Sequence, residues 1–401
     1  MFIHSVLPGD TVFKIARKYS VSPIKIIENN DLQNPDRLSV GEQLLILTPT
    51  RTYTARGGDT VSKIARRFGV KRSQIYANNP YLCGQDRIYP SEVLAIHYDA
   101  PPLGAIASNG YCFSGYDEDL LRRALPYITY LTVAAARADG HDRLALLFDD
   151  SLPLALAKES GKIALMRVFD SSDHAFYSDK EKAGFFIDML ISLAKERGYH
   201  GIALAAKNAK DINPEVISAF LLEMRKRLIG SDLILFTELD LNSDSPRTDL
   251  ADASVLTYTK CHLDDIPSFS DGERRALTEY AECYESTRAF LDLSSFASDG
   301  VESYLVKDAI KRAHKLQREL KNDKEKMILS FDYPHFRGTH QETRTMRFES
   351  LENIKAKLEL VAELGYMGVS FDVSRTPAST LMMINTLFSR QDLFAAGYDD
   401  M

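Results

Sequence analysis

The hydrophobic pattern of the chain changes near residue 100. Before it, strand-like segments enclose pairs of short helical segments, whose apolar faces are formed by Ile15, Tyr19, Ile24 and Ile27 in the first pair. After it, short apolar runs alternate with amphipathic helices. This alternation is typical of a parallel α/β fold, in which both faces of each strand are buried.

The N-terminal pattern is an internal repeat. Both copies contain the turn Gly-Asp-Thr and, further on, an Asn-Asn pair. Each copy predicts the order strand, helix, helix, strand, with Thr11 or Thr60 capping the first helix. The predicted modules span residues 1–48 and 52–98. The repeated segments are 8–21 and 57–70, Asn29-Asn30 and Asn78-Asn79, and 38–44 and 88–94.

The rest of the chain follows a Pro-containing linker at 99–103 and predicts a barrel. Eight apolar runs separated by helices close a (β/α)8 barrel, here over residues 103–390. A longer segment, 294–346, separates the last two strands and contains a predicted helix at 304–320. It also has strand-like runs at 326–332 and 344–348. The predicted barrel strands are 103–108, 127–135, 162–169, 201–206, 232–237, 253–258, 288–293 and 367–372.

Composition and charge exclude several classes of function. The hydrophobic content of 45% and the charged content of 26% are those of an ordinary globular protein. Residues 1–98 carry 13 Lys and Arg against 8 Asp and Glu, whereas the remainder carries 36 against 48. This mildly basic part suits a polyanionic surface, but its charges lack the clustering that nucleic-acid binding requires. No nucleic-acid partner is expected.

Targeting, metal and cofactor signals are missing from the sequence. Residues 1–10 have no basic region and no long apolar core, so no signal peptide is expected. No run approaches the roughly 18 apolar residues of a membrane span. The histidines lack metal-ligand spacing, and no phosphate-binding or nucleophile motif is present, so neither a metal nor a cofactor is expected. The cysteines lack a regular spacing and are predicted to be free thiols: Cys83, Cys112, Cys261 and Cys283.

The repeat resembles the LysM module, which binds N-acetylglucosamine-containing glycans such as peptidoglycan and chitin. The resemblance implies a sugar groove between two loops of each copy. The second copy departs from the pattern at Ser91, where the first has Gly41, and at Gly57, where the first has Pro8. Asp10 and Thr11 could alternatively act only as turn and cap residues. The implied binding residues are Gly9, Asp10, Thr11, Val12, Asn30, Asp31 and Leu32 in the first copy, and Gly58, Asp59, Thr60, Val61, Asn79, Pro80 and Tyr81 in the second.

The segment 198–208 resembles the fourth barrel strand of glycoside hydrolase family 18. That strand reads Asp-Gly-x-Asp-x-Asp-x-Glu in the family, and here only its glycine is retained, as Gly201. The four acidic positions fall on His200, Ala203, Ala205 and Lys207. The segments 125–140 and 347–371 also resemble this family, and its inserted α/β subdomain corresponds to 294–346.

The resemblance implies a cleft without its usual chemistry. In the family the last Glu protonates the leaving oxygen, and the Asp two residues earlier orients the acetamido group of the substrate, which is the nucleophile. Lys207 and Ala205 take these two positions, and Asp372 replaces the tryptophan that floors the cleft; the chain contains no Trp. We expect Lys207 to pair with Asp372 or Glu238. Other candidates at strand ends are Asp170, Asp240, Asp292, Tyr111, Tyr130 and Tyr258.

Two LysM modules before such a barrel resemble the spore cortex-lytic N-acetylglucosaminidases and germination proteins of endospore-forming bacteria. We therefore expect a peptidoglycan- or chitin-binding protein of the cell wall, spore cortex or coat, with a catalytically degenerate barrel. One alternative is an active N-acetylglucosaminidase that uses Glu238 as a relocated acid. Another is a scaffold whose barrel or inserted subdomain binds a spore-envelope protein.

Overall fold

The computed structural model describes residues 1–99, 102–139, 143–170, 177, 179–205, 213–239, 255–258, 271–283, 289–293, 296–337 and 340–390. These residues form two small N-terminal modules, a barrel, and a five-stranded sheet that is inserted before the last barrel strand. None of the described helices is both long and apolar enough to cross a membrane.

The first module has the predicted order of elements. Strands β1 (Phe2–Ser5) and β2 (Gln43–Ile46) pair antiparallel, and helices α1 (Val12–Tyr19) and α2 (Pro23–Asn29) lie between them in sequence. Ile15 is buried as predicted, but Ile24 is 61% exposed. Its assignment to the core face of α2 is therefore wrong, because Ile26 on the other side of the helix enters the core.

The second module repeats this arrangement. Strands β3 (Arg51–Thr54) and β4 (Val93–His97) pair antiparallel, and they enclose α3 (Val61–Phe68), α4 (Arg72–Asn78) and a 3₁₀ turn at Pro80–Leu82. Both predicted caps are confirmed. The Thr11 hydroxyl accepts the Lys14 N–H at 3.2 Å, and the Thr60 hydroxyl accepts the Lys63 N–H at 3.3 Å.

Eight parallel strands form the predicted closed barrel. Each strand pairs with the next in sequence order, and the last pairs with the first through Asp372 opposite Tyr111. The strands are β5 (Gly104–Cys112), β6 (Tyr130–Asp139), β8 (Ile163–Asp170), β9 (Gly201–Ala205), β10 (Ile234–Leu239), β11 (Val255–Tyr258), β12 (Ala289–Asp292) and β18 (Gly368–Asp372). Two short strands lie outside the ring: β7 (Arg143–Leu146) pairs antiparallel with β6, and β19 (Phe388–Arg390) pairs parallel with β5.

The predicted strand positions are confirmed with shifted bounds. The largest shift is at the second strand, where residues 125–127 form a 3₁₀ turn and β6 begins only at Tyr130. Tyr130 therefore lies near the start of its strand and points into the barrel, where its ring lies 4.9 Å from that of Phe236. Leu165, Ala203 and Phe290 belong to the same interior cluster.

Helices cover the outside of the barrel and form the largest apolar core with the outward faces of the strands. The longest of the described helices, α7 (Lys180–Arg197), is followed by Gly198, which adopts a left-handed φ of +80°. The barrel helices are α5 (Glu118–Ala124), α6 (Ser151–Glu159), α7 (Lys180–Arg197), α8 (Pro214–Ile229), α9 (Asp271–Cys283), α11 (Leu351–Glu363) and α12 (Ala378–Leu387).

The segment between β12 and β18 forms an antiparallel sheet with one helix, α10 (Val306–Lys315), which is shorter than predicted. Its long hairpin, β16 (Ile328–Arg337) and β17 (His340–Glu349), extends well beyond the predicted strand-like runs. Three short strands complete the sheet: β13 (Ala297–Ser298), β14 (Ser303–Tyr304) and β15 (Lys321–Asp323). We call residues 296–349 the inserted subdomain.

Two cysteines can be compared with the prediction of free thiols. Cys112 is buried and Cys83 is half-buried, and both are free as predicted. Burial raises the pKa of the Cys112 thiol to about 12, so this thiol stays protonated at neutral pH. Cys261 and the Cys283 side chain lie outside what the structure describes.

Candidate functional site

The Gly-Asp-Thr turn of the first module is held by its own side chains. The Asp10 carboxylate accepts the Leu7 N–H at 2.9 Å and lies 2.9 Å from His4 Nε2, and these contacts hold its pKa below the usual value. Val12 is buried in the module core. Gly9 has a φ of +80° with open space around it. The side chains of this turn are therefore structural, and Gly9 presents exposed backbone.

The turn of the second module has the same construction. Asp59 accepts the Arg56 N–H and the Tyr53 hydroxyl, both at 2.8 Å. Val61 is buried, and Gly58 again has a positive φ with open space around it. In both modules a lysine ammonium donates to the glycine carbonyl at 2.7 Å, from Lys14 to Gly9 and from Lys63 to Gly58.

The repeated asparagines tie the second helix of each module to its last strand. The Asn30 amide donates to the Ile26 and Leu45 carbonyls and accepts the Leu45 N–H, at 2.7 to 2.9 Å. Asn79 makes the same three hydrogen bonds to Ile75 and Ala95. The sequence reveals these residues as a repeat, and the structure gives their side chains a packing role.

The second predicted loop of each module faces another part of the molecule. Asp31, with a φ of +51°, accepts from Arg123 at 2.9 and 3.0 Å and from the Ala378 N–H at 2.8 Å, while Leu32 packs against the module core. In the second module Pro80 is buried, and the Tyr81 ring lies 4.9 Å from the Lys25 ammonium of the first module. These loops fasten the modules to the barrel and to each other.

The two modules expose different surfaces. Leu7 and Phe13 of the first are 58% and 70% exposed, whereas Arg56 and Ser62 occupy the matching positions of the second. Residues 51–98 also carry eight Lys and Arg against three Asp and Glu, while residues 1–50 carry five of each. The positive charge of the N-terminal part therefore belongs to the second module. Sequence reasoning missed Leu7 and Phe13, although each is an apolar residue beside the repeated turn.

The barrel mouth has no carboxylate at two of the family positions. Ala203 and Ala205 are buried on β9, and Ala203 lies in the barrel interior. His200 precedes the strand, and its Nδ1 accepts the Ala164 N–H at 3.1 Å, which is a structural contact. Lys207 lies outside the described residues, so its predicted ion pair stays a prediction.

A buried ion pair lies at the same mouth. Arg167 on β8 reaches across β9 and binds both carboxylate oxygens of Glu238 on β10. The two residues are only 6% and 9% exposed. Burial alone would lower the pKa of Arg167, but the charge and hydrogen bonds of Glu238 outweigh it and raise that pKa. The guanidinium also lies 4.0 Å from the Phe169 ring centroid and 5.6 Å from that of Tyr111.

Arg167 was not predicted, but the sequence contains a signal for it. It is the single charged residue within the apolar run 163–169, at a position that alternation directs into the barrel. A charge in such a position requires a partner, and Glu238 two strands away is the matching acid.

The remaining predicted cleft residues lie at strand ends. Asp372 is buried at the end of β18, accepts the Ser374 N–H at 2.8 Å and lies 3.3 Å from Arg375 Nε; burial raises its pKa. Tyr111 is buried and stacks on Phe113 with ring centroids 6.1 Å apart, and Asp292 accepts from the Ser370 hydroxyl at 3.1 Å. The side chains of Asp170 and Tyr258, and all of Asp240, lie outside the described residues. No cluster of potential metal ligands occurs among the residues described.

Comparison with known families decides the identity of the N-terminal modules. The family model described as "LysM domain" matches residues 4–47 and again residues 53–96. The chain carries two LysM domains. The loops described above therefore flank α1 and α2 in the first LysM domain and α3 and α4 in the second. The chain has no significant match among curated protein sequences.

Two of the solved structures with a similar fold cover nearly the whole chain. The spore cortex-lytic enzyme SleL of Bacillus megaterium QM B1551 is 20% identical with a TM-score of 0.73, covering 97% of this chain and 98% of its own. SleL of Bacillus cereus is 18% identical with a TM-score of 0.70, covering 97% and 99%. A chitinase of Chromobacterium violaceum ATCC 12472 is 14% identical with a TM-score of 0.59, covering 71% of this chain and 100% of its own.

These likenesses confirm the predicted arrangement, in which two LysM domains precede a barrel of the family 18 type. Because the sequence identities do not exceed 20%, these likenesses establish only the fold of the barrel. Its chemistry has to be argued from the residues at its mouth.

Proposed function

We propose that the chain is a peptidoglycan-binding protein of the cell wall or spore envelope, whose LysM domains bind N-acetylglucosamine-containing glycan and whose barrel does not hydrolyse it. The observation that carries this proposal is the barrel mouth, where Ala203 and Ala205 replace carboxylates and where Arg167 binds Glu238. The likeness to SleL, described as a spore cortex-lytic enzyme, supports the location.

The pairing of Glu238 argues against its use as a relocated acid. A general acid must present a proton to the leaving oxygen and reach it within hydrogen-bonding distance. Both carboxylate oxygens of Glu238 instead accept hydrogen bonds from a guanidinium, in a buried site. Releasing the carboxylate would leave Arg167 as an unpaired buried charge, which is strongly unfavourable.

The LysM surface that remains open is the Gly-Asp-Thr side of each domain. Gly9 and Gly58 have open space around them, and Leu7 and Phe13 supply exposed apolar surface in the first domain. A glycan would contact backbone groups and these apolar side chains there, while Asp10, Thr11 and their counterparts maintain the turn. The spore-envelope partners expected from the sequence belong to the same proposal, since a barrel without hydrolysis can serve as a binding surface.

The test is incubation of the full chain with purified peptidoglycan, followed by sedimentation and by an assay of released reducing sugars. We expect the protein to sediment with the wall and to release no sugar. Sedimentation should weaken as salt is added, because exposed charges on the second LysM domain are screened beyond about 8 Å at physiological ionic strength. Sugar release that is abolished by Glu238→Gln in a variant still folded by thermal unfolding, and that is unaffected by Lys207→Ala, would establish the relocated acid instead.

A further inference from the structure

A cavity of about 600 Å³ opens where the first LysM domain meets the barrel and the inserted subdomain. Its walls are the loop after α2, helix α10 and the turn that leads into α12. The volume lies within the range of small-molecule sites in proteins. The Gly-Asp-Thr turn at residues 9–11 does not line it. We call this cavity the junction groove.

The walls of the junction groove are fixed to one another. The LysM loop is held on the barrel side by Asp31, through its contacts with Arg123 and the Ala378 N–H. On the other side the Leu320 N–H donates to the Val40 carbonyl at 2.8 Å, and His314 Nε2 lies 2.8 Å from Glu42. The groove is therefore preformed, so binding there would not require its walls to be assembled.

The charge that lines the groove is positive and unpaired. Lys307, Lys311 and Lys315 follow one another at four-residue spacing, which places them on one face of α10, and all three line the groove opposite Arg37. Across the part of the chain that the structure describes, none of these four cations has a carboxylate within 4 Å. The acidic residues of the groove do have partners: Asp31 pairs with Arg123, Glu42 with His314 and Glu349 with Lys357.

Apolar side chains also line the groove. Leu32, Ile310 and Phe348 line the groove between the LysM loop and α10. An occupant should therefore combine negative charges with less polar faces, as an acidic sugar does with its carboxylates and the C–H faces of its rings. A neutral sugar would leave the lysines unused.

We propose that the junction groove binds a carboxylate-bearing, N-acetylated glycan strand, and that the inserted subdomain thereby extends the first LysM domain into an acidic-glycan site. The proposal rests on glycan binding by the LysM domains. It adds a substrate class, since the groove favours glycan with free carboxylates over neutral chitin. It also gives the inserted subdomain a role in binding.

The experiment compares two tetrasaccharides by isothermal titration of the full chain. One is neutral chitotetraose, and the other alternates N-acetylglucosamine with N-acetylmuramic acid, whose lactyl groups carry free carboxylates. The test variant combines Lys307→Gln with Lys311→Gln. The control combines Lys324→Gln with Lys326→Gln, two exposed lysines of the same subdomain that do not line the groove.

We expect the unmodified chain to bind the acidic tetrasaccharide more tightly than chitotetraose. The test variant should weaken acidic binding roughly three- to twentyfold, as the loss of two exposed charge contacts implies, and should leave chitotetraose binding within about twofold. The control should match the unmodified chain. All four lysines are exposed, so the variants should fold normally, and this can be checked by thermal unfolding.

Each contrary outcome overturns a defined part of the proposal. If the unmodified chain bound both sugars equally, and the test variant bound them as tightly as the unmodified chain, binding of acidic glycan in the junction groove would be refuted. Glycan binding by the LysM domains would remain intact. Failure of the unmodified chain to bind either sugar would refute the proposed function and the groove with it. A third titration uses a short polyphosphate. If it bound as tightly as the acidic tetrasaccharide, and if the test variant weakened both equally, the groove would recognise charge alone, which would refute glycan as the occupant.

Discussion

Gly41 and Ser91 occupy the same position in the two LysM domains and share a left-handed backbone, with φ of +84° and +73°. The turn therefore accepts a serine, and the glycine of the first domain needs another reason. A Cβ at Gly41 would lie 2.0 Å from the carbonyl oxygen of Leu320 in the inserted subdomain. The docking of the first LysM domain against Leu320 thus explains why it has glycine where the second domain has serine.

Gly41→Ala is predicted to disrupt this docking. The added methyl group collides with backbone that cannot move aside, so we expect a loss of about 1–3 kcal/mol beyond the cost of the left-handed conformation itself. Gly9→Ala is the matched control, because Gly9 has a similar φ of +80° and open space around it. Urea unfolding of both variants measures the difference. Equal losses would mean that the contact with Leu320 contributes nothing.

The buried pair formed by Arg167 and Glu238 leads to a second prediction. Arg167→Met alone should cost about 3–5 kcal/mol, because it leaves a buried carboxylate without its cation. Adding Glu238→Leu should recover most of the loss, since apolar residues can replace a buried pair at little cost. Denaturant unfolding of the single and double variants completes the comparison. A single variant as stable as the unmodified chain would show that the pair is not buried in solution.

At the scale of elements, the barrel strands could be predicted because each is a short apolar run between helices. Their ends could not: the second predicted strand began at Tyr127, which instead ends the 3₁₀ turn at residues 125–127. Strand β17 was predicted over only half its length, from residue 344 to residue 348, because the preceding residues 340–343 are all polar. Their strand conformation comes from pairing with β16, which is a long-range contact.

Some features of the candidate site could be predicted from the sequence, but its long-range contacts could not. The alanines at 203 and 205 are read directly from the sequence, and the cap role of Thr11 and Thr60 follows from their position before a helix. The contact of Asp31 with Arg123 joins residues 92 positions apart. No local pattern predicts such a contact, so the docked state of the LysM loops became apparent only in the structure.

The inserted subdomain should be sensitive to acid through Asp299. Burial alone would raise the pKa of this carboxyl, but hydrogen bonds from Tyr333, from the Glu302 and Val301 N–H groups and from Arg344 outweigh it and hold the pKa well below the usual value. A carboxyl whose pKa is lower in the folded state stabilises the fold above its unfolded pKa of about 3.9. That contribution disappears as the pH falls through this value towards the folded pKa.

Asp299→Asn is therefore predicted to destabilise the subdomain at pH 7, by about 1–3 kcal/mol for the weakened hydrogen bonds. The same change should reduce the loss of stability between about pH 5 and pH 2, because the titrating group is gone. Thermal unfolding across this range tests both parts. An unchanged pH profile would show that other carboxyls cause the acid sensitivity.

At the scale of the whole molecule, the LysM domains are parts of one packed assembly. The second packs on the barrel through the Tyr127 hydroxyl, which donates to the Ala77 carbonyl at 2.7 Å, and through the Asn385 amide, which donates to Asn78 at 2.8 Å. It meets the first where Lys25 contacts Asn79 at 3.0 Å. The exposed Gly-Asp-Thr turns and the junction groove therefore have fixed positions relative to the barrel mouth.

If the barrel lacks hydrolytic activity as we propose, introducing only the acid of family 18 should not create it. Lys207→Glu would supply a group worth roughly 10²- to 10⁴-fold in rate, but orientation of the acetamido nucleophile is a separate requirement, and Ala205 cannot meet it. Arg167 on β8 also already places its guanidinium at the mouth, bound to Glu238. We expect Lys207→Glu to release no more sugar from chitooligosaccharides than the unmodified chain does.

Turnover should require at least three changes, Lys207→Glu with Ala205→Asp and Asp372→Trp. These restore the acid, the orienting carboxylate and the aromatic floor that family 18 implies. Asp372 is buried beside Arg375, so the tryptophan must displace that contact, and the triple variant needs a check of its folding by thermal unfolding. Sugar release from chitooligosaccharides is the measurement. If Lys207→Glu alone gave rapid release where the unmodified chain gave none, Ala205 and Asp372 would not be what limits the barrel, and Lys207 alone would be.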